Sequence, residues 1–346
     1  MKNKAVVMTG IQKLEIQEYS MPVCGDDEVL VKTAYVGICG SDAHFFETGE
    51  IGTSIVHPPF VLGHEYSGTI IEIGKNVKHL SVGDRVTLEP GVPCGQCSYC
   101  KSGRYNLCDD MKFKSSPPVD GLFMQYVSHP AHLAFKLPET VSLLDGALIE
   151  PLAVGFYASE TGDVALGKTV AILGSGCIGL TTLLACRQHQ ASRIIVTDMC
   201  QSRLEKAKEL GATDTIDASR EDVIARIAEL TDGRGADVVF ETAGSRYTAL
   251  QTSHVVAKGG RVVMVGAIVG DIPYNFRALN RKEADLKTIW RYCNVYPKAV
   301  EAVERQLINL DGIISDIFDF RNAQEAFEKS IQDKEHTIKI ALKFGE

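Results

Sequence analysis

Three absences narrow the chain before any motif is read. No Lys or Arg run interrupts a composition in which 44 Asp and Glu outnumber 36 Lys and Arg, for a formal net charge of -8 at pH 7. That excludes a broad electrostatic surface for nucleic acid, which needs clustered cations. No apolar stretch reaches membrane-spanning length; the longest, from Ala171 to Cys186, is interrupted by Gly and Ser, so no membrane span or membrane partner is expected. The opening Met1-Lys2-Asn3-Lys4 runs into a short apolar strand with no signal-peptide core behind it, and the expected location is the cytoplasm. Internal repeats and low-complexity segments are missing too. What is present is 346 residues, 45% hydrophobic and 23% charged, enough for a buried core in about two domains. Small molecules and other copies of the chain are the expected partners.

Ten cysteines remain to be explained, and a reducing compartment disfavours pairing them. Four fall in the pattern Cys94-x2-Cys97-x2-Cys100-x7-Cys108 on one loop, a spacing that closes a tetrahedral all-cysteine zinc site. Four thiolates leave no open coordination position, so this zinc is read as structural.

The organisation changes midway. Up to about Pro151 the sequence is made of short β-rich runs such as Val29-Leu30-Val31-Lys32 and Tyr66 to Ile73, separated by Gly and Pro turns. From about Val154, strands alternate with amphipathic helices, the arrangement of a parallel sheet covered on both faces. Six strand candidates, Thr169 to Leu173, Arg193 to Thr197, Thr213 to Ile216, Asp237 to Glu241, Arg261 to Val265 and Asp285 to Trp290, make up a doubly wound dinucleotide fold. The run from Gln201 to Leu210 reads as a helix stopped by Gly211. The tail from about Lys298 carries two helical stretches and a last strand, Thr337 to Lys343.

After the apolar run Val170 to Leu173 comes Gly174-Ser175-Gly176-Cys177-Ile178-Gly179, a G-x-G-x-x-G that opens a helix read from Leu180 to Gln188. Gly174 permits the tight turn, Gly176 the approach of a pyrophosphate, and Gly179 close helix-on-strand packing. The amides of the helix start face the phosphates. Cys177 and Ile178 belong to this cofactor loop, Cys177 as a small packing residue rather than a reactive thiol. Asp198 ends the second strand, 24 residues beyond Gly174, placed to accept both hydroxyls of an adenosine ribose. A carboxylate there repels a 2′-phosphate and favours NAD over NADP. Arg203 lies close enough to stack on adenine or meet a phosphate. Val265 and Gly266, at the end of the fifth strand candidate, complete the cofactor-binding candidates.

A second, dispersed constellation comprises Cys39-Gly40-Ser41-Asp42-Ala43-His44, Gly63-His64-Glu65 and Glu150-Pro151. Gly63-His64-Glu65-x2-Gly68-x5-Gly74-x2-Val77, followed by Gly83-Asp84-Arg85-Val86, resembles the signature of the zinc-containing medium-chain dehydrogenases. The likeness spans essentially the whole chain, and within that family it is to the sorbitol, L-iditol and xylitol dehydrogenase branch. Where ethanol-type relatives place a Cys, this chain has Glu150, and carboxylates in the site point to the polyol branch.

The resemblance implies an N-terminal GroES-like β-rich catalytic domain, residues 1–153 with 291–346, and a Rossmann NAD-binding domain, residues 154–290, assembled as a homotetramer or homodimer. It implies two zinc ions per chain: the structural one, and a catalytic one at Cys39, His64 and Glu65, with Glu150 either ligating directly or holding a zinc-bound water. Asp42 is read as the carboxylate that orients His64. Phe113, Ser116, Arg291 and Tyr292 are candidate substrate contacts by the same likeness. Phe45 joins them; several sorbitol dehydrogenases have Tyr there.

The implied reaction is reversible oxidation of a secondary hydroxyl of a sugar alcohol to the ketose, through a zinc alkoxide and hydride transfer to NAD. Ser41 and then His44 would carry the proton outward. Other readings are a zinc dehydrogenase for threonine, butanediol, a polyol phosphate or another secondary alcohol, and a non-catalytic NAD-binding regulatory or structural protein. His57, His79, His129, His132, His189, His254 and His336 are read as structural or surface residues.

Overall fold

In the first half, alternating apolar residues pair into an antiparallel-rich sheet. The computed structural model, which describes residues 2–345, divides into two units, Met1–Glu150 with Tyr296–Glu346, and Pro151–Val295. The first unit holds a seven-stranded sheet. Its order is Ala134–Lys136, Arg85–Leu88, Glu65–Ile73, Glu28–Ile38, Lys339–Lys343 and Ile314–Asp319, with Tyr126–Pro130 also paired to Glu28–Ile38. A smaller sheet joins Lys13–Tyr19, Asn3–Gly10 and Phe60–Val61.

Register decides what meets at the end of the long central strand. Gly37 lies opposite Glu65 on one side, and Ile38 lies opposite Ile340 on the other. The chain therefore leaves the sheet at Cys39 with Glu65 and Lys339 beside it. The core beneath is built from Val31, Val36, Tyr66, Ile70, Leu88, Phe123, Phe327 and Leu342, each large side chain contributing about 1.5–3 kcal/mol by leaving water. Phe327 anchors the tail helix Ala323–Gln332 between Phe46 and Phe123, at ring separations of 5.1 and 5.8 Å.

The second unit is a parallel six-stranded sheet in the order Asp214–Asp217, Arg193–Asp198, Thr169–Leu173, Ala236–Glu241, Val256–Met264, Asp285–Thr288. This is the doubly wound order, reversing between the first strand and the fourth. Val170 to Leu173 is fully buried without alternation, as expected for a strand covered on both faces. Its core groups Ala171, Leu173, Ile195, Val239 and Val262 with Ile227 and Leu279 from the helices.

Differences from the sequence reading lie mostly at element ends. The third parallel strand begins at Asp214 because Thr213 turns its hydroxyl and amide onto Ile194. The sixth stops at Thr288. The glycine-loop helix starts at Cys177, so Cys177, Ile178 and Gly179 form its first turn. Ile314–Asp319 is a strand the sequence did not announce, its run broken by Asp316. Among the described residues, no helix is long and apolar enough to cross a membrane.

Candidate functional site

Cys39 caps the helix Gly40–Thr48, and its amide donates to Asp42 Oδ2 at 3.1 Å. Asp42, fully buried, uses its other oxygen to accept from the Gly63 amide at 3.1 Å and the Ser115 hydroxyl at 2.6 Å. That pins the Gly63-His64-Glu65 segment to the helix start. His64 Nδ1 stands 3.5 Å from Asp42 Oδ1, within ion-pair reach. Burial alone would raise the Asp42 pKa, but His64 with the Ser115 and Gly63 donors holds it below the ordinary value. Burial would depress the His64 imidazole, yet the charges of Asp42 and Cys39 hold it well above. Asp42 and the Cys39 sulfur thus converge on His64.

Glu65 sits in a socket. A Cβ on Gly37 would lie 2.1 Å from Glu65 Oε2, so only glycine leaves room for the carboxylate. Lys339, 4% exposed, donates to Glu65 Oε1 at 2.6 Å and to the Ile38 carbonyl at 3.0 Å. Glu65 Oε2 is buried without a hydrogen-bond partner. Ligand atoms of Cys39, His64 and Glu65 all lie within 4.8 Å of one another. Thiolate, imidazole and carboxylate, three protein donors with a fourth position left over, form a donor set suited to catalytic zinc.

Glu150, expected among these ligands, is not part of that three-donor cluster. It is buried in the first turn of the helix Ile149–Thr161, where a carboxylate complements the helix start. It faces Glu89, whose carboxyl burial pushes up to about 7, against the hydrogen bond from Tyr105 and with the Glu150 charge adding to the rise.

Ser41 and His44 lie three residues apart on the helix Gly40–Thr48, hence on one face, and both are half-buried. Phe113 brings its ring to 5.6 Å from His64. Ser116 is half-buried in a turn, its amide donating to the Phe113 carbonyl at 3.1 Å. Phe45 is a core residue of the first unit, 5% exposed. Arg291 and Tyr292 belong to the second unit; the Arg291 guanidinium lies 5.2 Å from the Trp290 ring centroid, and Tyr292 is buried.

The four-cysteine loop converges as its spacing suggested. Its sulfurs lie within 4.8 Å of one another, with Cys94–Cys100 at 4.0 Å and Cys97–Cys100 at 3.4 Å. Zinc–sulfur bonds of about 2.3 Å in a tetrahedron set sulfurs about 3.8 Å apart, so the loop is shaped for the ion. Amides help: Cys108 Sγ accepts from the Cys94 amide at 3.3 Å. The Cys94 thiol is drawn down to about 7, chiefly by the backbone amides of Gln96 and Cys97.

In the second unit Gly174 takes φ +111°. A Cβ on Gly179 would stand 1.9 Å from the Gly174 carbonyl, the close packing for which the motif needs glycine. Gly176 caps the helix Cys177–Gln188, leaving its first-turn amides for an anion. Arg203 reaches this loop, its Nη1 3.9 Å from where a Gly176 Cβ would be. Asp198 accepts from the Ser175 amide at 2.7 Å, Met199 at 2.8 Å and Cys200 at 3.0 Å. These amides fix the carboxylate at the end of the second parallel strand, beside the glycine loop.

Sequence reasoning missed Ser115, Lys339 and Glu241. Ser115 differs from its selected neighbour Ser116 only by facing Asp42. Lys339 reads as an ordinary strand-edge lysine, although a lysine at an apolar position of Thr337 to Lys343 hints at a buried partner. Glu241 ends the fourth parallel strand fully buried.

Comparison with known proteins agrees with this geometry. Residues 25–139 match the alcohol dehydrogenase GroES-like domain, and residues 177–305 match the zinc-binding dehydrogenase family. The chain is 42% identical over 348 residues to an uncharacterised zinc-type alcohol dehydrogenase-like protein of Escherichia coli, covering 100% of both. It is 40% identical over 340 residues to the sorbitol dehydrogenase of Bacillus subtilis, covering 98% of this chain and 96% of that one. A crystal structure of an Escherichia coli oxidoreductase of unknown specificity, 42% identical, superimposes with a TM-score of 0.96 over 99% of each chain. With both zinc-shaped donor sets and the dinucleotide unit in place, the chain belongs to the zinc-containing medium-chain dehydrogenase/reductase family, on its sorbitol dehydrogenase branch, with zinc and a nicotinamide dinucleotide as cofactors.

Proposed function

We propose that the chain is an NAD-linked polyol dehydrogenase that oxidises a secondary hydroxyl of a sugar alcohol such as sorbitol, L-iditol or xylitol to the ketose. The observation that carries this reading is the cluster of half-buried Cys39 with buried His64 and Glu65, braced by Asp42 and Lys339, in a chain 40% identical to a sorbitol dehydrogenase over nearly its whole length. When bound, zinc supplies the Lewis acid that eases loss of an alcohol proton, and NAD supplies the hydride acceptor.

The chain's own residues supply the rest. Asp42 fixes His64 in orientation, and Gly37 with Lys339 fixes Glu65, so the donor set is organised before any ligand arrives. Ser41 Oγ accepts the proton released by the hydroxyl as it hands its own towards His44, which passes it outward. Phe113 offers an apolar wall beside His64, and Ser116, Arg291 and Tyr292 bind the substrate hydroxyls. Glu150 acts through water. The helix start at Gly176 binds the pyrophosphate and Asp198 the two hydroxyls of the adenosine ribose. The zinc chemistry belongs to residues 1–153 with 291–346 and the cofactor to residues 154–290. As the resemblance implies, the enzyme works as a homotetramer or homodimer; the cytoplasm is its expected location from the sequence.

The test is NAD reduction with sorbitol, xylitol, L-iditol, ribitol, galactitol, threonine, butanediol and ethanol. A kcat/KM at least about tenfold higher for one of the polyols than for threonine, butanediol and ethanol is expected. Activity confined to threonine would overturn the substrate class.

A further inference from the structure

Glu241 ends the fourth parallel strand at the reversal of strand order, with Leu173 of the first strand opposite it. The crevice at the carboxyl ends of the strands opens there. The glycine loop and Asp198 follow the first and second strands and serve the adenosine half of a dinucleotide. The loops after the fourth and fifth strands therefore face the nicotinamide half.

One residue ties those two loops together. The main-chain carbonyl of Glu241 accepts from the amides of Val265 and Gly266, each at 2.9 Å. Its Oε1 accepts from the Ala243 amide at 3.1 Å, the Ser245 amide at 3.4 Å and the Thr248 hydroxyl at 2.6 Å. Its Oε2 is buried without a hydrogen-bond partner. A Cβ on Gly266 would come within 2.5 Å of that oxygen and 2.3 Å of the Gly244 amide nitrogen, so the Gly266 backbone runs directly against the carboxylate and the neighbouring loop. Burial pushes the carboxyl up, against the pull of Thr248 and the amides. A fully buried acid with an oxygen left over is a costly way to fasten two loops, and the cost is intelligible if their mutual position matters.

We propose that Glu241 is a positioning residue for the nicotinamide end of the cofactor, locking the 243–248 segment against Val265-Gly266 so that their main chain forms one wall of that half-site. The inference rests on the NAD-linked reading above.

Dissociation constants for NADH and for ADP-ribose, which lacks the nicotinamide, are to be measured on zinc-loaded wild type, Glu241→Ala, Glu241→Gln and Thr248→Val. The Ala variant should bind NADH about tenfold or more weakly while ADP-ribose affinity moves by less than about twofold. Gln keeps an acceptor oxygen for the same three donors and should recover most of the loss. Thr248→Val should show a smaller shift in the same direction, and it keeps the test open if Glu241→Ala fails to fold. KM for NAD should rise more than kcat falls. Equal weakening of both ligands would reduce Glu241 to a general structural role and overturn the inference, as would no change in either. Wild type that binds neither ligand would instead overturn the cofactor reading and take this inference with it.

Discussion

Removing the Lys339 ammonium tests how the zinc cradle is balanced. Lys339→Met keeps most of the side-chain volume but deletes a cation 2.6 Å from Glu65 Oε1 and 3.0 Å from the Ile38 carbonyl, in surroundings where Lys339 and Glu65 are 4% and 0% exposed. Breaking a buried ion pair from one side costs about 3–5 kcal/mol, because the remaining charge is left uncompensated. The Ile38 carbonyl loses one of its donors as well, which adds a smaller, non-additive cost. A bound dication would supply the missing charge, so the loss should be full in chelator-treated protein and much smaller in zinc-loaded protein. By reciprocity the variant should hold zinc more tightly than wild type. Urea unfolding with and without chelator, together with zinc affinity from competition with a chromophoric chelator, reads both sides. A loss below about 1 kcal/mol, or the same loss with and without zinc, would refute the reasoning.

Other perturbations give distinct readouts. Asp198→Ala should weaken NAD by about tenfold to a hundredfold through loss of a charged acceptor while NADP changes far less; a parent enzyme that already prefers NADP would contradict the ribose argument. Cys94→Ser should lower bound zinc from about two to about one per chain and loosen the 94–108 loop to proteolysis, leaving NADH binding measurable; unchanged zinc content would refute the structural site. His129, fully buried with its Nε2 2.9 Å from the Glu89 carbonyl, is pushed down to about 3 by burial and by Lys114. An unfolded imidazole titrates near ~6.5, so below that pH the unfolded chain binds the extra proton and native stability falls towards pH 3. Relative to His129→Gln, wild type should lose about 2.5 kcal/mol between about pH 7 and 4.5; a pH-independent difference in urea melts would count against a buried neutral imidazole.

Local chemistry was the legible part of this molecule. The inner parallel strands announce themselves because strands buried on both faces must be continuously apolar, as Val170 to Leu173 is; the edge strands Asp214–Asp217 and Asp285–Thr288 are polar and less covered. Gly174 and Gly179 are readable because one turn dictates both, and the cysteine loop because its ligands are neighbours in sequence. Cys39, His64 and Glu65 were found only through family likeness, since sheet register brings them together. Register also hides the supports: Lys339 meets Glu65 across 274 residues of chain, and its apolar position in the last strand hints at burial without naming the partner. Ser115 and Ser116 are indistinguishable by residue type, and which of them faces Asp42 depends on a backbone at φ +65° at Ser115. Phe45, named as a substrate contact by family likeness, packs with the core of the first unit, a placement that residue type alone does not reveal.

Metal content measured alongside turnover tests the central claim most directly. Wild type should carry about two zinc per chain, and Cys39→Ser should carry about one, with NAD-linked polyol oxidation abolished and NADH binding retained. Near-normal turnover in Cys39→Ser, or unchanged zinc content, would contradict a zinc-dependent reaction at the Cys39, His64 and Glu65 cluster.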